Sequence, residues 1–219
     1  MRTAVLASAL FVASVLPAAA QLSPQQMSTP AIERSEYGAG NGSHDPSTPS
    51  SAIAAERKRL NANDPEGIAE DLRLNGKCDK AVPIFRRLAE RGTDYAISQF
   101  NLGLCLFDLA KAEHDATQAA ALNKEGAQWV LQAANAGFGK AQTMAVVLYL
   151  DGLGVAADPV EAGKWAYIFH DNGSRLVLGL PDISADTRSR LDAVLTGDKR
   201  REAHARADGW SQTSERTDQ

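Results

Sequence analysis

The stretch with the clearest chemical potential is Gly152-Leu153-Gly154-Val155-Ala156-Ala157, a G-x-G-x-x-A run preceded by the strand-like residues 146–150. Glycines at this spacing let a backbone approach a pyrophosphate, which rests on the N-terminus of the helix that follows, and Asp171 stands about where a ribose-binding acid is sought. The context excludes a dinucleotide site. Pro159 falls five residues after Gly154 and would interrupt the phosphate-binding helix, and the span left for a strand-helix-strand crossover is too short. The four histidines, His44, His114, His170 and His204, are scattered and sit in neither an H-E-x-x-H nor a G-x-S-x-G setting. His114 reads as a surface residue, and His170 as a hydrogen-bonded packing histidine. No catalytic, cofactor-binding or metal-binding residue is assigned, and a non-enzyme is expected. The densest basic cluster, Lys199-Arg200-Arg201, is interleaved with Asp198, Glu202 and Asp208, which describes a solvated helix face rather than a nucleic-acid-binding stripe.

These residues are carried by helical segments. Ala141, Ala145, Val146 and Tyr149 form an apolar stripe at helical spacing, predicting an amphipathic helix over residues 140–150. Gly152 and Gly154 can end it with positive φ, and Asp158-Pro159 supplies an N-cap followed by proline at the first helical position. A second helix then carries Ala162, Trp165, Ala166 and Phe169 up to Gly173. The unit is an αα-hairpin, which cannot bury both faces of its helices alone, and it recurs. Leu102, Gly103 and Leu106 correspond to Ala145, Val146 and Tyr149. Trp129, Ala133, Ala134 and Gly137 correspond to Trp165, Phe169, His170 and Gly173, with Trp129 and Trp165 36 residues apart; Ile84, Phe85, Ala89 and Gly92 fill the same slots in an earlier hairpin. A small residue at the helix crossing with a large one over it is what close stacking of hairpins requires.

The pattern resembles the Sel1-like repeat, a longer-looped relative of the tetratricopeptide repeat, whose unit reads roughly A-x3-L-G-x2-Y-x2-G-x-G-V followed by A-x2-W-x3-A-A-x2-G. Ala141, Tyr149, Gly152, Gly154, Val155, Ala162, Trp165 and Gly173 fit the third unit, and Leu102, Gly103, Trp129, Ala133, Ala134 and Gly137 the second. The third unit lacks the L-G pair and the double alanine. The second carries about seven extra residues and no G-x-G-V, and the first has a short turn, Asn75-Gly76-Lys77-Cys78-Asp79. The resemblance covers roughly residues 65–173. It implies an all-α fold, an α-solenoid of about three stacked αα-hairpins with a C-terminal helical cap, and a protein that binds other proteins or peptides.

Along the chain, residues 1–20 read as a secretory signal: Arg2, an apolar run over 4–16, then Pro17 and Ala18-Ala19-Ala20 before Gln21. The run is too short to span a bilayer comfortably, so no integral membrane span is expected after cleavage. The compact alanine-rich signal points to a Gram-negative bacterium and a periplasmic or secreted protein. Without Arg2 the chain carries 22 basic and 27 acidic residues, a net charge of −5. Residues 21–50, rich in Ser, Pro, Gly and Gln, read as a disordered tether. The repeat domain is expected over 51–210, with helical character already over 52–60, Asp64 capping the first hairpin and Pro83 in the first turn of its second helix. Residues 111–124 read as an insertion lengthening the two helices of the second unit. Ser184 and Thr196 are expected to cap two closing helices, and 211–219 to form a disordered tail.

Two pairings remain for Cys78 and Cys105. In an oxidising compartment, stacking of adjacent hairpins would bring them within bonding reach, closing a loop of 27 residues for a stabilisation of roughly 3 kcal/mol. Otherwise they are reduced thiols, with Cys105 packed as a small hydrophobe. Tetratricopeptide-type solenoids line their concave face with the first helix of each hairpin. By that likeness Phe100, Leu104 and Phe107, with Thr143, Val147 and Leu150, are expected to form an apolar groove for a partner segment, or else to pack against neighbouring helices. The expected function is an exported scaffold or adaptor binding a protein or peptide in the cell envelope. The alternative is an envelope enzyme accessory or hydrolase acting on peptidoglycan or a β-lactam-like substrate. Cysteine-rich Sel1-like proteins, to which such activity is attributed, place a cysteine pair in every repeat, and this chain does not.

Overall fold

The computed structural model describes residues 64–213. The signal, the tether, the helical stretch over 52–60 and residues 214–219 lie outside the described residues. Among the described residues there are nine α-helices and no strand: α1 Pro65–Leu74, α2 Cys78–Ala89, α3 Ala96–Ala112, α4 Ala116–Asn135, α5 Gly139–Asp151, α6 Pro159–His170, α7 Gly173–Leu178, α8 Ala185–Val194 and α9 Gly197–Asp208. Consecutive helices pack as hairpins, α1 with α2, α3 with α4 and α5 with α6, and α9 lies against α6.

Local chemistry sets most boundaries. The Asp64, Asp115 and Asp158 carboxylates accept amides in the first turns of α1, α4 and α6, at 3.0, 2.8 and 2.8 Å. Ser184 caps α8, whereas Thr196 precedes α9 without a side-chain cap. Residues 111–124 lengthen the second hairpin as expected, giving helices of 17 and 20 residues. The first hairpin differs from its sequence reading. α2 begins at Cys78, so Pro83 is the sixth residue of the helix, past the first turn, and leaves the Asp79 carbonyl without its usual helical donor.

α3 is the hinge of the packing. Every residue from Ser98 to Phe107 is buried, the polar Ser98, Gln99 and Asn101 with the apolar ones, so the helix is covered all round. Leu102, Cys105 and Leu106 enter a first core with Ala69, Ala81, Phe85 and Ala89. Phe100, Leu104 and Phe107 enter a second core that continues through α4, α5 and α6 to Leu191, Leu195 and Ala203 of the closing segment. The helices meet closely where glycines permit it. A Cβ on Gly103 would lie 2.6 Å from Val130 Cγ2 and 2.7 Å from the Gly126 carbonyl.

Candidate functional site

The glycine run that looked most like a phosphate cradle serves packing. Gly152 ends α5 in the left-handed conformation, with its amide and that of Leu153 both bonded to the Leu148 carbonyl. Gly154 has φ +71°, and a Cβ there would stand 2.1 Å from the Asn123 carbonyl, so the loop lies flat on the α4 backbone. The N-terminus of α6, where a phosphate would bind, is occupied by the Asp158 carboxylate on the Val160 and Glu161 amides.

Cys78 and Cys105 form a disulfide with Cα atoms 5.1 Å apart, tying the start of α2 to the middle of α3. The six expected groove positions fall differently. Phe100, Leu104, Phe107 and Val147 are buried. Thr143 and Leu150 are half-buried, and the Thr143 hydroxyl donates to the Lys140 carbonyl at 2.8 Å. The chain's own helices thus fill the place of an open apolar trough along α3, because α3 is covered by the first hairpin on one side and by α4 on the other. His114 is exposed, as expected. His170 is exposed rather than packed, with Nδ1 2.8 Å from the Asp182 carboxylate. Burial pushes the Asp182 carboxyl up, but its hydrogen bond to His170, the Ile183 amide and Arg188 together outweigh burial and hold it below its ordinary value. His44 lies outside the described residues. Among the described residues no group of three His, Cys, Asp or Glu side chains is placed to hold a metal ion.

A different place has the shape of a site. Between the third hairpin and the cap lies a cleft of about 220 Å³. One wall is α6, with Tyr167, Ile168 and Asp171; the facing wall is α9, with His204, Ala207 and Asp208. The Tyr167 and His204 rings stack with centroids 3.5 Å apart and planes 20° from parallel. Trp210 closes one end, edge-on to Trp165 at 6.3 Å, with its indole N–H donating to Asn135 Oδ1 at 3.2 Å. At the floor, fully buried Gln142 accepts from Asn172 Nδ2 at 2.8 Å and donates to the Ala134 carbonyl at 3.3 Å. Asn172 Nδ2 also donates to the Gly137 carbonyl at 3.1 Å, and its Oδ1 accepts the Arg175 amide. These carboxamides are committed to holding the turn between α4 and α5 against the end of α6.

The far rim comes from the end of the chain. The Gln212 side chain donates to the Ala136 carbonyl at 2.8 Å and the Thr213 amide to the Asn135 carbonyl at 2.9 Å, covering carbonyls that α4 leaves open at its C-terminus. Gln212 and Thr213, at the start of the expected tail, are thus hydrogen-bonded to the end of α4 while remaining exposed. Only Trp210 announced any of this in the sequence. The stack joins residues 37 positions apart on helices whose local patterns show no reason to meet.

No protein-family model matches the chain, and no curated protein matches it. A solved structure does: a protective antigen present in uropathogenic Escherichia coli strains, described as displaying an SLR fold. The likeness has a TM-score of 0.52 and 25% identity and covers 73% of this chain. It takes in 32% of the other, so the chain spans about a third of that structure's length. Stacked hairpins and this likeness together give the chain an all-α solenoid fold similar to the Sel1-like repeat fold of that structure, a helical repeat architecture commonly used as a scaffold for protein interaction.

Proposed function

We propose that the protein is an exported, non-catalytic scaffold or adaptor that holds a protein or peptide partner in the cell envelope, in the periplasm or secreted. The observation that carries this reading is the solenoid itself, an architecture of stacked hairpins commonly used for recognition. Two further features support export. The opening residues have the order of a secretory signal, and the Cys78–Cys105 bond suits an oxidising compartment.

The test expresses the full chain in a Gram-negative host, fractionates the cells, sequences the mature N-terminus and cross-links the protein in the envelope. A product beginning at Gln21 outside the cytoplasm, cross-linked to a defined protein only when folded, is expected. Retention in the cytoplasm, or turnover of peptidoglycan or a β-lactam by the pure protein, would overturn the reading. A binding-deficient control cannot be placed at Leu104, which is a core residue. Surface variants at the cleft serve instead.

A further inference from the structure

The cleft has an electrostatic arrangement that folding alone does not explain. Asp171 is the C-cap of α6 and Asp208 the last residue of α9, and both of these exposed residues line the cleft. A helix C-terminus carries the negative end of the dipole, so each acid stands where it opposes its own helix. The bases nearby are engaged with groups other than these two carboxylates, Arg175 among them on the last carbonyls of α6. His170, in the last turn of α6, pairs with Asp182, and Arg206, in the last turn of α9, is held by Glu161 and Glu202, each at 2.6 Å. Arg175 donates to the carbonyls of Phe169, His170 and Leu180. No lysine or arginine lines the cleft. Two carboxylates and an indole thus converge on one cavity, and each of these attracts a cation.

The apolar side chains beside it extend the surface. α7 leaves the rim at Gly173, and Leu176, Val177 and Leu178 are 58%, 86% and 69% exposed. These residues continue the apolar character expected beyond Gly173, but the fold leaves them uncovered, and exposed apolar residues in a row mark an interaction surface.

Resting on the scaffold reading above, we infer that this cleft and α7 recognise a basic amphipathic peptide segment, with a lysine or arginine side chain between Asp171 and Asp208 and flanking apolar side chains on Leu176, Val177 and Leu178. The acidic balance of the chain, 27 acidic against 23 basic residues, favours such a partner at longer range.

The probe is a fluorescein-labelled peptide of alternating leucine and lysine, compared by anisotropy with the same peptide carrying acetyl-lysine, which removes the charge alone. The full chain should bind the lysine peptide at least ~10-fold more tightly. The double variant Asp171→Asn, Asp208→Asn should lose most of that preference, and Val177→Ser should weaken both peptides. Because each acid opposes its helix, the double variant should melt no lower than the wild type, which separates a binding role from a structural one. Equal affinity for the two peptides, or unchanged affinity in the double variant, would overturn the inference. If the double variant still captured the envelope partner of the wild type, the cleft assignment would fail and the scaffold reading would stand. Absence of any captured partner would count against the scaffold reading itself.

Discussion

On one side of α3 lies a core of eight buried residues closed by a covalent bond; on the other lies one of twenty-two closed without any. The first receives Phe85 as its single aromatic and is otherwise alanine, leucine and cystine. The second contains Trp165 and the three phenylalanines Phe100, Phe107 and Phe169, and is finished by α8, α9 and the hydrogen bonds of residues 210–213 to the end of α4. A solenoid must end somewhere, and its end units have only one neighbour to bury against. Among the described residues the two outer units solve this in distinct ways. The small core constrains the unfolded chain with a disulfide, and the large one recruits extra helices.

The largest effect that tests this contrast is removal of the indole at the centre of the second core. Trp165 is 2% exposed and packs against Trp210. Trp165→Ala should cost about 3–5 kcal/mol in urea unfolding, the range for a large aromatic deleted from a packed interior. Hydrogen exchange should speed up in α5, α6 and α9 and much less in α1 and α2. An equal loss of protection in all helices would mean that the two cores melt as one unit and that their distinction is only geometric.

The reciprocal experiment opens the first core. Cys78→Ala with Cys105→Ala removes the closure of a 27-residue loop and should lower stability by about 3 kcal/mol. Here protection should fall in α1, α2 and the adjoining face of α3, while the cleft between α6 and α9 keeps its structure. If the double variant were as stable as the wild type, the first core would be sufficient without its staple, and the contrast between the ends would collapse.

How far the sequence foretold this depends on the range of the physics involved. Helix ends set by one residue and its near neighbours were legible, as at Asp158-Pro159 and Gly152. Stacking was legible too, because glycines recur in phase with large residues, and Gly103 indeed sits where Gly126 and Val130 press closest. The covering of α3 was not. Apolar residues and Gly103 fill every position from 102 to 107, so periodicity distinguishes no free face there, and only the packing shows that Phe100, Leu104 and Phe107 are covered. Pro83 misled because it suits a helix start, yet α2 begins five residues earlier, where Cys78 is bonded to α3. The cleft was invisible for a third reason. Tyr167, His204 and Gln212 meet through the docking of the cap, and no window of local sequence contains them together.

The smallest effect lies at the joint between the two cores. Arg86 of α2 pairs with Glu125 of α4, which also accepts the Trp129 indole N–H at 3.2 Å. The Arg86 hydrogen bond outweighs burial and holds the Glu125 carboxyl below its ordinary value, with Trp129 and the Arg86 charge adding to the effect. A carboxyl lowered in the folded state binds fewer protons folded than unfolded just below the ordinary pKa. Its contribution is therefore complete above about pH 5 and is lost as pH falls through the folded value. Both side chains are about a third exposed, 38% and 33%, so screening limits the pair to about 1 kcal/mol or less. Arg86→Gln should accordingly lower stability by that amount at pH 7, and the gap from wild type should shrink as the solution is acidified past the carboxylate range. A gap that stayed constant into acid would mean that Arg86 holds α2 to α4 through its aliphatic stem rather than its charge. The two cores would then be joined by packing, and a mutation in either would be felt more strongly in the other.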